Sequence, residues 1–401
     1  MNHRYFAQWV TASFIAVSCA FMPGRAQDTI KIGMTSALTG PYNEFGEGNK
    51  RALELAIDRW NSKGGINGKK IELAMVLDDQ LIPDRAVQNM RRLLDNKSLV
   101  AIIGPAGSGP TLAVIDMATA DGRPYINAYA QSTAVVYPSG KTPRPNVFSF
   151  SIQNDVEARV LASHVSKKFK KIGLLHESTA YGTGAIELIN NDLKTLGGGQ
   201  SVGIESYNQR TQDMTAQLAR LQRAGSEVVL CVGLGADLAV IRRIMARLSF
   251  SVPLVGSGGA LSLPYQEGAG DLVIGTQGSM ISSFGEDKLN SAAREFADSY
   301  KAKYGLDRWW GTDPLKPQIS MAMSTSNAYD AANVLFEAIR RANSLEASAI
   351  NKAIENISDY RGVNAIYSFS AQKHHAITEK DITLFEYVKI GDKPGLRIAK
   401  D

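Results

Sequence analysis

The run Gly104-Pro105-Ala106-Gly107-Ser108-Gly109-Pro110-Thr111 follows an apolar, strand-like segment that ends at Ile103. Small residues let a ligand approach the main chain, and Ser108 offers a hydroxyl donor. A helix opening near Thr111 turns unpaired N–H groups and the positive end of its dipole toward an anion. The chemistry this favours is the holding of a carboxylate. The same spelling also makes an ordinary strand-to-helix turn, and glycine alone does not separate the two.

Signatures of reaction are weaker. Ala106, not glycine, stands two residues before Ser108, so the loop is not a nucleophile elbow, and no lysine follows to make a phosphate-binding P-loop. Gly233 and Gly235 follow the strand-like run Val228 to Val232, but Leu238 occupies the place of the third glycine of a dinucleotide turn. His374 and His375 are adjacent, so a regular strand cannot turn both to one metal, and they read as a loop. A lone Cys231 in an apolar strand reads as a small buried hydrophobe. No catalytic residue, metal or cofactor is expected. A hydrolase on a similar α/β scaffold, with Ser108 as its nucleophile, is the enzymatic alternative.

The elements that must position the Ser108 loop alternate. Strand Ile30 to Met34 is followed by Leu53, Ala56, Ile57 and Trp60 on one helix face, which Gly64 and Gly65 end. Strand Ile71 to Leu77, helix Arg85 to Leu94, strand Val100 to Ile103, helix Thr111 to Ala120 and strand Pro124 to Ile126 continue the pattern. Such alternation predicts a parallel sheet covered by helices on both faces. After Pro143 and Pro145 a second series runs from helix Val156 to Lys168 through strand Ile172 to Leu175, helix Gly184 to Leu196, strand Val202 to Ser206 and helix Met214 to Ala224. It closes with strand Val228 to Val232, helix Leu238 to Leu248 and strand Pro253 to Val255. The remaining helices, Ala292 to Tyr304, Ser320 to Ala342 and Ala347 to Ile354, and strands Val363 to Phe369 and Thr383 to Val388, lack an alternation of their own and read as returns that complete the two lobes.

The 401 residues, 44% hydrophobic and 21% charged, suffice for two cores of ordinary domain size. At the start, His3 and Arg4 precede an apolar run from Trp9 to Met22, followed by Pro23, Gly24, Arg25 and Ala26. This predicts a secretory signal cleaved near Ala26, the run being shorter than the ~20 residues that span a bilayer. Lipid anchoring at Cys19 is disfavoured, because the expected leucine is missing before it. Dropping Arg4 and Arg25 from the 44 basic residues leaves 42 against 39 acidic, a net charge of +3, too mild to argue for nucleic acid. The run Lys167, Lys168, Lys170 and Lys171 reads as the solvated end of a helix.

The order of segments resembles the branched-chain amino acid binding proteins of bacterial ABC importers, the leucine/isoleucine/valine-binding type, over almost the whole mature chain. The residues that carry it are Ile32-Gly33, Leu38-Thr39-Gly40-Pro41, Phe45-Gly46, Asn61-Ser62-Lys63-Gly64-Gly65-Ile66-Asn67-Gly68, Ile103-Gly104-Pro105, Tyr181-Gly182, Tyr329-Asp330-Ala331, and Gly362, Tyr367, Phe369-Ser370 and His374.

That resemblance implies a type I periplasmic binding protein fold: two doubly wound parallel-sheet lobes joined by a three-strand hinge, closing over a ligand. It implies a signal peptide over 1–26, one lobe from 27–149 with 282–378, and the other from 150–281 with 379–401. It further implies a monomer that captures a small carboxylate in the periplasm and delivers it to a membrane permease. A sensor subunit for a signalling protein is the other reading. Carried over by position, Gly107 and Ser108 would meet the ligand carboxylate with the turn Tyr129, Ala130, Gln131 and Ser132, and Phe45, Tyr181 and Leu234 would line the cleft. Gly258 falls where the family's glutamate would pair the ligand ammonium. A buried ammonium without a carboxylate partner costs several kcal/mol, so this departure favours an aromatic or hydrophobic organic acid over a branched-chain amino acid held by another acid such as Asp237.

Overall fold

In the computed structural model the described residues are Met1, 29–282, 290–305 and 322–400, with only the backbone of 322–324. Residues 2–26 of the expected secretory segment, Cys19 among them, and Ser320 lie outside them.

The first sheet and its helices run β1 (Ile30–Ser36), α1 (Asn43–Ser62), β2 (Ile71–Asp78), α2 (Pro83–Asp95), β3 (Leu99–Ile103), α3 (Ser108–Asp121), β4 (Tyr125–Asn127) and β5 (Val147–Ser149). The strands lie in the order β2-β1-β3-β4-β5, all pairs parallel. Every residue of β3 is buried, as a central strand covered on both faces requires. The strand order reverses between β1 and β3, which opens a crevice at their carboxyl ends, and the loop carrying Gly107 emerges there.

The chain then builds α4 (Asn154–Lys168), β6 (Lys171–Glu177), α5 (Ala180–Leu196), β7 (Gln200–Tyr207), α6 (Thr215–Arg223), β8 (Val228–Val232), α7 (Gly235–Arg247), β9 (Leu254–Gly256), α8 (Leu263–Ala269) and β10 (Gln277–Ile281). It goes on through α9 (Ser291–Tyr304), α10 (Ala322–Ala342), α11 (Ala347–Glu355), the small hairpin β11 (Tyr360–Arg361) and β12 (Ile366–Tyr367), and finally β13 (Ile382–Ile390) and β14 (Lys393–Ile398). The second sheet is ordered β14-β13-β10-β9-β8-β6-β7; it is parallel except that β13 runs against both β10 and β14. Its own reversal lies between β6 and β8.

Helices α9 and α10 return to the first lobe. Trp60 on α1 donates its indole N–H to Asn333 on α10 at 3.0 Å and meets Phe336 edge to face, while Arg59 pairs with Glu295 on α9 at 2.7 Å. His374 and His375 sit in irregular chain: the His374 ring stacks on Phe148 with its Nδ1 3.0 Å from the Val147 carbonyl, and His375 Nδ1 lies 3.2 Å from the Tyr137 hydroxyl. Cys231 is fully buried in β8, and that burial raises its thiol pKa far above the ordinary value.

Several boundaries differ from the sequence expectation. Helix α3 opens at Ser108 rather than Thr111, and α5 at Ala180 rather than Gly184. The continuous strand expected over Val363 to Phe369 is only the short hairpin, because the Asp330 carboxylate takes the N–H groups of Val363 (2.7 Å) and Asn364 (2.9 Å) away from any ladder. Strands β5, β10 and β14 were not anticipated, β5 being three residues just beyond a proline-rich stretch.

Candidate functional site

A cavity of about 170 Å³ lies where the two sets of strand ends face each other. The first lobe contributes Gly107, Ser108 and Gly109 from the start of α3. Gly107 is extended (φ −109°, ψ 151°), so the helix opens with Ser108 as its first residue. A Cβ on Gly107 would stand 2.6 Å from Leu81 Cδ1, so a larger residue there would have to push the Leu81 side chain aside. Thr111 N–H already reaches the Gly107 carbonyl at 3.0 Å and Pro110 has no N–H. The first-turn donors without a protein acceptor among the described residues are therefore the N–H groups of Ser108 and Gly109. Ser108 Oγ accepts the Ser132 N–H at 3.1 Å, which leaves the hydroxyl proton free to donate.

The next strand end is shaped by Asn127, whose Oδ1 accepts the Ala130 N–H (2.9 Å) and whose Nδ2 donates to the Ala130 carbonyl (2.7 Å) and Ser149 Oγ (3.0 Å). The Ala130 N–H, in the turn expected to meet the ligand, is thus committed to the protein. The group of this turn that remains is the Gln131 side chain, which walls the cavity and whose Oε1 is buried with no partner. Phe45 and Tyr129 pack at 4.8 Å between ring centroids on the same side.

From the second lobe come Thr179 and Tyr181 at the start of α5, Gln209, and Leu234 just before α7. The Glu177 carboxylate fixes the start of α5 by accepting the N–H groups of Thr179 and Gly182 and the Thr179 hydroxyl, each at 2.7 Å. Burial raises the phenol pKa of both Tyr129 and Tyr181 far above the ordinary value, so both rings stay neutral.

The wall thus brings together Phe45, Gly107, Ser108, Tyr129, Ala130, Gln131, Tyr181 and Leu234 from the sequence-derived set, and Ser132 and Gly258 are not in it. Ser132 supports Ser108 from behind. Asp237 also points elsewhere, to Tyr42 and to the Arg210 N–H at 3.2 Å. Leu81, Pro83, Thr179 and Gln209 line the cavity without having been singled out. Leu81 carries a weak sequence signal: Asp78 and Asp79 accept the N–H groups two residues on, holding Gln80 (φ 54°) and Leu81 (φ 60°) in left-handed conformation. Glu157, on the first turn of α4, was missed as well. It is 2% exposed, and its Oε1 accepts from Ser279 Oγ at 2.5 Å and from the Gly258 N–H at 3.2 Å; burial raises its carboxyl pKa.

Two doubly wound lobes that face each other across a cavity of neutral donors and aromatic rings define a solute-binding protein. The model of the periplasmic binding protein family matches residues 29–392, and the chain belongs to that family, in its type I, branched-chain amino acid branch. It is similar to the Leu/Ile/Val-binding protein homolog 7 of Brucella melitensis, 26% identical over 91% of this chain and 90% of that protein. It is also similar to the leucine-, isoleucine-, valine-, threonine- and alanine-binding protein of Pseudomonas aeruginosa, 24% identical over 88% of this chain and 87% of that one. Among solved structures, a type 1 periplasmic binding protein from Bordetella pertussis superposes with a TM-score of 0.89 at 60% identity, covering 92% of this chain and 100% of that one. LivJ of Streptococcus pneumoniae in complex with isoleucine gives 0.76 at 22% identity, covering 93% and 100%. The protein is a binding component and not an enzyme.

Proposed function

We propose that this protein captures a small carboxylate-bearing molecule with an apolar body in the periplasm and delivers it to the membrane permease of an ABC importer. The observation that carries this reading is the polarity of the cavity. The N–H groups of Ser108 and Gly109 and the Ser108 hydroxyl serve an anion at one end, while Phe45, Leu81, Tyr129, Tyr181 and Leu234 supply apolar surface around the rest. The similarity to the leucine-, isoleucine-, valine-, threonine- and alanine-binding protein of Pseudomonas aeruginosa supports a ligand of that size and shape.

The same reading divides the chain into lobes 27–149 with 282–378 and 150–281 with 379–401, each sheet supporting one lobe, and takes 1–26 as the exported protein's cleaved signal. The mature chain works as a monomer. Among the described residues no helix is long and apolar enough to cross a membrane. A thermal-shift screen of the mature chain against amino acids and aromatic and aliphatic organic acids tests the reading, since a ligand that binds only the folded chain raises its melting temperature by mass action. Failure of every carboxylate to raise it would sink the proposal.

A further inference from the structure

We propose that Leu81 is a specificity-determining residue that limits the bulk of the ligand's apolar body, and that its loop couples this limit to closure of the lobes. The inference rests on the reading of the cavity as the ligand site and names the side chain that sets its size limit.

Two loops meet where the lobes touch, one from each lobe. In both, one residue lines the cavity and its chain neighbour makes the contact between lobes. In the first lobe Leu81 lines the wall, and the carbonyl of Gln80 accepts from the Arg210 guanidinium at 3.3 Å. In the second lobe Gln209 lines the wall, and Arg210 supplies that donor. Leu81 also packs against an apolar cluster made of Tyr42, Phe45 and Ala106 from the first lobe and Leu234 from the second.

The first loop has little freedom to yield. Gln80 and Leu81 lie in the left-handed region, at φ 54° and 60°, which a leucine adopts only where its surroundings impose it. The fully buried Asp79 does so: one carboxylate oxygen accepts the Leu81 N–H and the other the Thr35 hydroxyl, each at 2.9 Å. Asp78 accepts the N–H groups of Gln80 at 3.0 Å and Leu38 at 2.9 Å, and Gln80 Nε2 donates to the Thr39 hydroxyl at 2.7 Å. Pro83, the first residue of α2, fixes the exit of the loop.

The Leu81 side chain lies against Gly107, whose chain leads straight into the N–H groups of Ser108 and Gly109. A ligand gripped there is held next to Leu81. A body too large pushes on Leu81, and the braced loop passes the push to Gln80, whose carbonyl then leaves Arg210. Excess bulk is thus penalised in the cavity and again in closure.

The test is calorimetry on the mature chain with two size series: alanine, valine, leucine and phenylalanine, and propionate, isovalerate, isocaproate and hydrocinnamate. Leu81→Ala should shift the affinity ratio between a bound member and the next larger one toward the larger by about tenfold. Leu81→Phe should shift it the other way, and Leu81→Met, of similar volume, should leave it near the parent's. Arg210→Ala keeps the wall but removes the link to closure, so it should narrow the discrimination between sizes. Loss of a merely structural contact would instead weaken every member by one common factor. A ratio unchanged in the Leu81→Ala or Leu81→Phe protein that melts like the parent, or a common factor in Arg210→Ala, overturns the proposal and leaves the receptor reading intact. Binding of no member by the parent chain overturns both.

Discussion

The Tyr42 hydroxyl of the first lobe lies 3.3 and 3.4 Å from the two carboxylate oxygens of Asp237 in the second. Arg210 completes the contact. Its N–H donates to Asp237, its guanidinium lies 5.3 Å from the centre of the Tyr42 ring, and it donates to the Gln80 carbonyl at 3.3 Å. Gln80, Leu81 and Arg210 all have positive φ, so the lips of the cleft meet through strained residues. This contact holds the lobes together outside the cavity itself.

Tyr42→Phe keeps the ring and removes the hydrogen bonds between lobes. A neutral-to-charged hydrogen bond of this kind contributes about 1 to 2 kcal/mol, and the loss should appear mainly as faster ligand release. Stopped-flow dissociation should be several-fold faster than in the parent. An unchanged rate would show that the lobes stay shut without it.

Acid groups raised by burial set the pH dependence of stability. Burial is the main cause in each case, taking Asp330 to about 7 and Asp237 and Asp79 to about 6. The folded pKa lies above the unfolded one, so the native state binds the extra protons and stability falls as pH rises. That loss begins near the ordinary carboxylate range and is complete above about pH 7. Asp330 alone is worth on the order of 4 kcal/mol across the window. Urea titrations should show the midpoint falling between about pH 4 and 7, less steeply in Asp330→Asn. A midpoint that rises over that range contradicts the argument.

Ser108→Ala removes a hydroxyl from the cavity wall but leaves the helix-end N–H groups. Ligand affinity should drop by about 1 to 3 kcal/mol, the range for a hydrogen bond to a charged group, and the Ser132 N–H, which loses its acceptor, should cost some unfolding free energy as well. Calorimetry that finds full affinity would reduce Ser108 to a turn residue.

Asn127→Ala strands the Ala130 N–H and carbonyl, which Asn127 holds in a fully buried turn. The expected cost is about 2 to 4 kcal/mol of stability from groups left unpaired, together with weaker ligand binding because Gln131 loses its placement. Chemical denaturation separates this from Ser108→Ala, which strands one buried N–H rather than an N–H and a carbonyl together and should cost less stability.

The alternation of strands and helices was plain in the sequence because β3 and β8 are continuous apolar runs. Short strands such as β4 and β9 were found mainly from the rhythm of their neighbours. Strand β10 was missed because Gln277-Gly278-Ser279 carries no apolar pattern and is a strand only by pairing with β9 and β13. Ser108 and the aromatic positions were reached through loop spelling and resemblance. Glu157 was not legible, since an acidic residue in the first turn of a helix looks like a solvated partner of the dipole until the fold buries it beneath Gly258. The turn at Ala130 lies in the cavity wall, but sequence could not show that Asn127 had already used its N–H.

The polypeptide leaves the first sheet after Ser149, leaves the second after Ile281, and enters the second again at Ile382. Neither half is therefore a contiguous stretch that a gene fragment could encode, and a protease that cut one of these passages would not set the halves adrift. Nicked material should still run as a single particle on a sizing column, coming apart only when denaturant is added.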